Sequence, residues 1–205
     1  MVDSSLGGSP INWVFRVKPF ARKLVEELSD VAAITSSIFQ SSIVEFNETA
    51  VVGSPLTDDP DTTIANINNL VFSEGDTNHE DAILKCQSTL PTPPSGFKNF
   101  IVLVTDGDPN VCASDACART NSTGDCPLSN CAPAQNAANN TATSVKDSGT
   151  ILLPIFTQGT AQPIEGIDDY MNSLSSEGFD VPFVSFDGLE DIVLDIKQEI
   201  LCGGF

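Results

Sequence analysis

Three short segments of this chain carry side chains suited to holding a small, hard cation. They are Asp3-Ser4-Ser5, Thr77 within Asp76-Thr77-Asn78, and Asp106 within Thr105-Asp106-Gly107. Carboxylates and hydroxyls are hard oxygen donors, matched to Mg²⁺, Mn²⁺ or Ca²⁺ rather than to zinc. Each segment also has a plainer use. Thr77-Asn78-His79-Glu80 reads as a capping box at a helix start, Thr-Asp-Gly is common turn chemistry, and Asp3 with Ser5 can belong to a terminal tail. Thr77 can be ligand and cap at once. Asp108 reads as a solvated turn carboxylate. Other chemistries find no support. His79 is the only histidine, it lies inside the capping segment, and no G-x-S-x-G elbow accompanies it, so nucleophilic catalysis has no visible base. No Gly-rich phosphate loop is present. Asp106 to Cys117 opens like an EF-hand loop, but Val111 stands where Gly is needed and Cys117 where Glu is needed. The chain reads as a non-enzyme.

Composition narrows the partners. The 205 residues carry a formal charge of −19, a field that repels nucleic acid and anionic membrane surfaces. A hydrophobic content of 40% suffices for a core, and no apolar run approaches the length of a membrane span. Four of the six cysteines cluster as Cys112, Cys117, Cys126 and Cys131. With no histidine nearby, two disulfides stapling a loop are favoured over a zinc site, in any of three connectivities. Asn47, Asn121 and Asn139 head glycosylation sequons. Cysteines and sequons together place the chain in an oxidising compartment, extracellular or at the cell surface. The opening Met1-Val2-Asp3 carries no secretory leader.

The elements that must position these residues follow from hydrophobic spacing. After Ser9-Pro10, suited to N-cap and first helical position, the run Trp13, Val17, Phe20, Ala21, Leu24, Val25 and Leu28 predicts an amphipathic helix. Strands are expected at 38–46 and 50–56, joined by the polar turn at 47–49. Helices are expected over 58–70 and from Thr77 to the prolines at 91, 93 and 94. Phe100 to Val104 is a continuous apolar run, the mark of a strand covered on both faces. A helix over 132–146, a strand over 151–156, a helix over 167–174, a strand over 181–186 and a helix over 189–201 complete the order. Alternating buried strands and helices give an α/β three-layer sandwich around a mostly parallel sheet. We expect a single domain over 1–205, with a cysteine-rich loop insertion at about 108–131. In such a sheet, ligands bind beyond the carboxyl ends of the strands, and Asp3 and Asp106 both fall there.

Taken in order, Asp3 and Ser5, Thr77, and Asp106 resemble the metal-ion-dependent adhesion site of the von Willebrand factor type A (vWA) domain. That site combines a D-x-S-x-S loop, a distant Thr and a T-D-G turn. The resemblance extends over nearly the whole chain, because element order and motif spacing agree too. It implies a strand order 3-2-1-4-5-6 with one antiparallel edge strand. It also implies a divalent cation, Mg²⁺ first with Mn²⁺ or Ca²⁺ as alternatives, held by Asp3, Ser5, Thr77 and Asp106. An Asp or Glu carboxylate of a protein partner would complete the cation's shell. The implied function is cation-dependent protein binding or adhesion. Two departures bear on it. Gly7 occupies the third loop position, where the family has Ser; this favours an alternative, a structural vWA domain of a matrix or surface protein with a degenerate metal site. Only Met1 and Val2 precede Asp3, so the first strand is expected to be truncated, exposing the edges of its neighbours.

Overall fold

The computed structural model describes residues 1–3, 10–35, 37–73, 75–94, 96–113, 132–158 and 166–202. Six strands form one sheet in the order β3-β2-β1-β4-β5-β6: β1 Val2–Asp3, β2 Ser41–Phe46, β3 Ala50–Thr57, β4 Phe100–Thr105, β5 Ile151–Gln158 and β6 Phe183–Ser185. Only the β2–β3 pair is antiparallel. The mostly parallel sheet is the one expected from the hydrophobic spacing, and the strand order and single antiparallel edge strand are those implied by the resemblance.

Side-chain alternation sorts the strands into two cores. Ile101 and Leu103 of β4 face one side with Val44 and Phe46 of β2 and Leu152 and Phe156 of β5. Val102 and Val104 face the other with Val2, Ile43 and Ile155. This explains the unbroken apolar run of β4, since a strand covered on both faces gains nothing from polar alternation. The first core is closed by α4 (His79–Thr89), α5 (Ala132–Asp147) and α6 (Ile167–Leu174). The second is closed by α2 (Lys18–Thr35), α3 (Pro60–Asn69) and α7 (Val193–Cys202). The result is a three-layer sandwich.

Two local features follow from proline. The short α1 (Pro10–Asn12) passes into α2 through a π-helical turn, Trp13–Val17, in which Lys18 N–H bonds Trp13 C=O. That wider turn lies just ahead of Pro19, whose ring would press on the carbonyl four residues back in a regular α-helix. Pro154 sits within β5 opposite Leu103. Leu152 C=O and Phe156 N–H both bond outward, to Ser176 and Pro182, so alternation turns Pro154 to the same outer edge. There β6, paired only with 156–158, has not begun, and no ladder bond is lost. This also accounts for a last strand shorter than the apolar run at 181–186.

The first strand is indeed brief. Val2 pairs with Glu45 and Val104, and Asp3 with Phe46. The Met1 ammonium donates to Val102 C=O at 2.6 Å, and Met1 C=O accepts from Val104 N–H at 3.1 Å. A cavity of about 640 Å³ adjoins Met1 and Val2, lined also by Phe20, Leu24, Ile43, Cys86 and Ile101 among others. Val2 thus bridges β2 and β4 at the end of the sheet that carries Asp3.

Candidate metal-binding site

Asp3 ends β1, and Thr105 ends β4 one residue before Asp106, so both carboxylates leave the same edge of the sheet. Asp3 and Thr105 are wholly buried (0% exposed). The Thr105 hydroxyl donates to Asp3 Oδ2 at 3.0 Å, partnering a carboxylate that burial would otherwise penalise. Gly107 N–H reaches the same Thr105 oxygen at 3.4 Å, which closes the Thr-Asp-Gly turn around Asp106.

Thr77 arrives from the other direction. Its backbone is clamped by Asn110: Thr77 N–H donates to Asn110 Oδ1 at 2.7 Å, and Asn110 N–H donates to Thr77 C=O at 3.0 Å. Asn110 Nδ2 also donates to Asp76 Oδ1 at 3.1 Å. These bonds set the Thr77 hydroxyl over the turn, where a β-carbon on Gly107 would lie 3.4 Å from Thr77 Oγ1. Asp3, Thr77 and the Asp106 turn therefore converge. Ser5, Gly7 and Ser9 lie outside the described residues.

Two expectations need correction. The cap of α4 is Asn78, not Thr77: the Asn78 side chain accepts from Asp81 N–H at 3.0 Å. The helix begins one residue later than a capping box on Thr77 requires, which releases the Thr77 hydroxyl from capping. Asp108 is no solvated turn residue either. It is partly buried and accepts from Gln135 Nε2 at 2.8 Å, and burial raises its pKa against that bond.

Behind the site lies a polar line that spacing alone did not reveal. His79, the first residue of α4, has Nε2 3.0 Å from Thr105 Oγ1 and Nδ1 2.8 Å from the Tyr170 hydroxyl. Burial lowers the His79 pKa to about 3, so the imidazole is neutral at physiological pH. The Tyr170 pKa is raised by burial and secondarily by the charge of Asp108. One signal was available in the sequence. Thr105 continues the face of Ile101 and Leu103, so a polar residue occupies a buried position and needs a buried partner.

Among the described residues no group of three or more His, Cys, Asp or Glu side chains is placed to hold a metal ion. The donors at the convergence are carboxylate and hydroxyl oxygens beside a glycine, an arrangement that suits an oxygen-ligated divalent cation. An open α/β sheet with such donors beyond its strand ends defines a class of ligand-binding domains. The family model of the von Willebrand factor type A domain matches residues 1–151, and the chain belongs to that family.

Solved structures agree on the fold. The vWF domain of the type V pili tip protein Mfa5 from Porphyromonas gingivalis superposes with a TM-score of 0.76 at 13% identity, covering 98% of this chain and 93% of that one. Manganese-loaded Plasmodium vivax TRAP protein gives 0.64 at 18% identity, covering 97% and 70%. Proximal thread matrix protein 1 from the mussel byssus, with a zinc-occupied MIDAS motif, gives 0.63 at 17% identity over 95% of this chain. The chain spans 43% of the length of that mussel protein. No curated protein matches the sequence.

Proposed function

We propose that this chain is a divalent-cation-dependent protein-binding module of an extracellular or surface protein. The carrying observation is the convergence of Asp3, Thr77 and the Asp106 turn at the carboxyl edge of the sheet. Asp3 and Asp106 would supply the carboxylates, and Thr77 with Ser5 the hydroxyls. Mg²⁺ is the first candidate, with Mn²⁺ and Ca²⁺ as alternatives; the mussel protein's zinc argues for adding zinc to any titration. Such a cation supplies an electrophilic centre on an otherwise acidic surface. With a net charge of −19, the chain repels acidic partners at long range, so capture of an Asp or Glu side chain depends on the local ion.

The setting rests on weaker supports. The cysteines clustered at 112–131 are in keeping with an oxidising compartment, and a pilus adhesin, SpaC from Lactobacillus rhamnosus GG, is among the similar folds. Among the described residues no helix is long and apolar enough to cross a membrane. We read residues 1–205 as one vWA unit with a cysteine-rich insertion at about 108–131. Gly7 sustains the second reading, a structural domain whose metal site has decayed.

Immobilised chain presented with Asp- or Glu-bearing peptides, and with their Asn and Gln counterparts, tests the proposal. Retention of the acidic peptides with Mn²⁺ or Mg²⁺, abolished by chelator, is expected. Retention that ignores both chelator and the acid-to-amide change would sink it.

A further inference from the structure

We propose that His79 is a positioning residue for the cation site, holding the Asp3 carboxylate through the Thr105 hydroxyl. The proposal rests on the cation reading above and adds a direction to every proton in the buried line.

The direction follows from counting donors. An ionised carboxylate only accepts, a hydroxyl has one proton, and a neutral imidazole has one N–H. Thr105 Oγ1 is 3.0 Å from both Asp3 Oδ2 and His79 Nε2. Its proton goes to Asp3, the stronger acceptor. His79 Nε2 must then carry the imidazole N–H, because a bare Nε2 would set two lone pairs against each other. That leaves Nδ1 bare, so it accepts the Tyr170 O–H at 2.8 Å. The line reads Tyr170 to His79 to Thr105 to Asp3, each donating to the next. With the proton on Nδ1 instead, Thr105 would donate to His79, and its oxygen would face the Asp3 carboxylate with no proton between them.

Surroundings hold this arrangement in place. His79, Thr105 and Asp3 are each 0% exposed and Tyr170 is 5% exposed, so water does not compete for the bonds. Phe46 packs edge-on against the imidazole at 5.8 Å, and the Tyr170 ring lies parallel to it within 4°. Rotation of the Asp3 carboxylate is thereby tied to α4 and α6 before any cation arrives. Outer-shell hydrogen bonds of this kind commonly change metal affinity by about 10–100-fold when removed.

The test has two readouts. Because His79 is the only histidine, nitrogen-15 NMR of the cation-free chain reports one imidazole, and its tautomer is read directly. Mn²⁺ titration of the parent, His79→Gln, His79→Phe and Tyr170→Phe follows, with a thermal melt of each to confirm folding. We expect the Nε2–H tautomer in the parent and also in Tyr170→Phe, where the Thr105–Asp3 pair still requires it. Mn²⁺ affinity should fall about 10–100-fold in His79→Phe. Most of it should return in His79→Gln, whose amide can donate to Thr105. An Nδ1–H tautomer in a parent that binds Mn²⁺ overturns the proposal, as do folded Gln and Phe variants of equal affinity. A parent with the Nε2–H tautomer and no affinity for Mn²⁺ or Mg²⁺ strikes the cation reading instead, and leaves the buried line standing.

Discussion

Thr77 Oγ1 lies 3.4 Å from the point a β-carbon on Gly107 would occupy. That separation is ordinary van der Waals contact, so Gly107→Ala should fold with little loss, within about 0.5 kcal/mol. The added methyl would nevertheless stand beside the Thr77 hydroxyl, in the space a cation needs. We expect at least a tenfold weaker Mn²⁺ affinity with an almost unchanged urea midpoint. A large stability loss with unchanged affinity would contradict this placement.

Neighbouring residues Thr77 and Asn78 have separate duties, and substitution should split them. Asn78→Ala removes the cap of α4 and should cost about 1 kcal/mol of stability. Thr77→Val keeps the backbone bonds to Asn110, so its melt should move less while its cation affinity drops sharply. If instead Thr77→Val destabilised the chain as much as Asn78→Ala, the capping box read from the sequence would be the better description.

Acid stability should carry the signature of His79. Burial lowers its folded pKa to about 3, against an ordinary value of 6.5. Above about pH 6.5 neither state binds the proton, and the folded form suffers no penalty from this group. As pH falls from 6.5 toward 3 only the unfolded chain takes up the proton, so stability is lost by about 1.4 kcal/mol per pH unit. Denaturant midpoints for the parent and His79→Gln between pH 7 and pH 4.5 should therefore converge as the pH drops. Parallel curves would show that His79 titrates normally in the folded chain.

The cavity beside Met1 gives a prediction about the sheet. Three apolar residues appended to Met1 would continue β1 between β2 and β4 and remove the ammonium from beside Val102. Each apolar side chain fully buried there should add on the order of 1.5–3 kcal/mol. A Val-Leu-Val extension should raise the melting temperature clearly above both the parent and a Gly-Ser-Gly extension. Equal melting temperatures for the two extensions would show that the cavity does not accept a strand.

Much of this architecture was legible in the residues themselves. The apolar run Phe100 to Val104, the helical spacing from Trp13 to Leu28 and the alanines of 132–146 each report a burial pattern, and burial patterns determine layers. The order of Asp3, Thr77 and Asp106 was legible for the same reason, since each sits at a strand end or a helix start. What spacing could not supply were contacts between residues far apart in sequence. Asn110 clamps Thr77 across 33 residues, and Tyr170 reaches His79 across 91. Asn78 also took the cap that Thr77 seemed to hold, a shift of one residue that only backbone geometry decides.

The central claim, that Asp3, Thr77 and Asp106 hold a divalent cation, is tested most directly by thermal melts of the parent and Asp106→Ala. Each is melted in chelator and in saturating Mg²⁺ or Mn²⁺. At a hundred times its dissociation constant, a cation binding only the folded chain adds about 2.7 kcal/mol. A higher midpoint is expected for the parent with cation and no shift for Asp106→Ala. Cooperative melts that coincide with and without cation in the parent would contradict it, and would leave a structural vWA domain as the better reading.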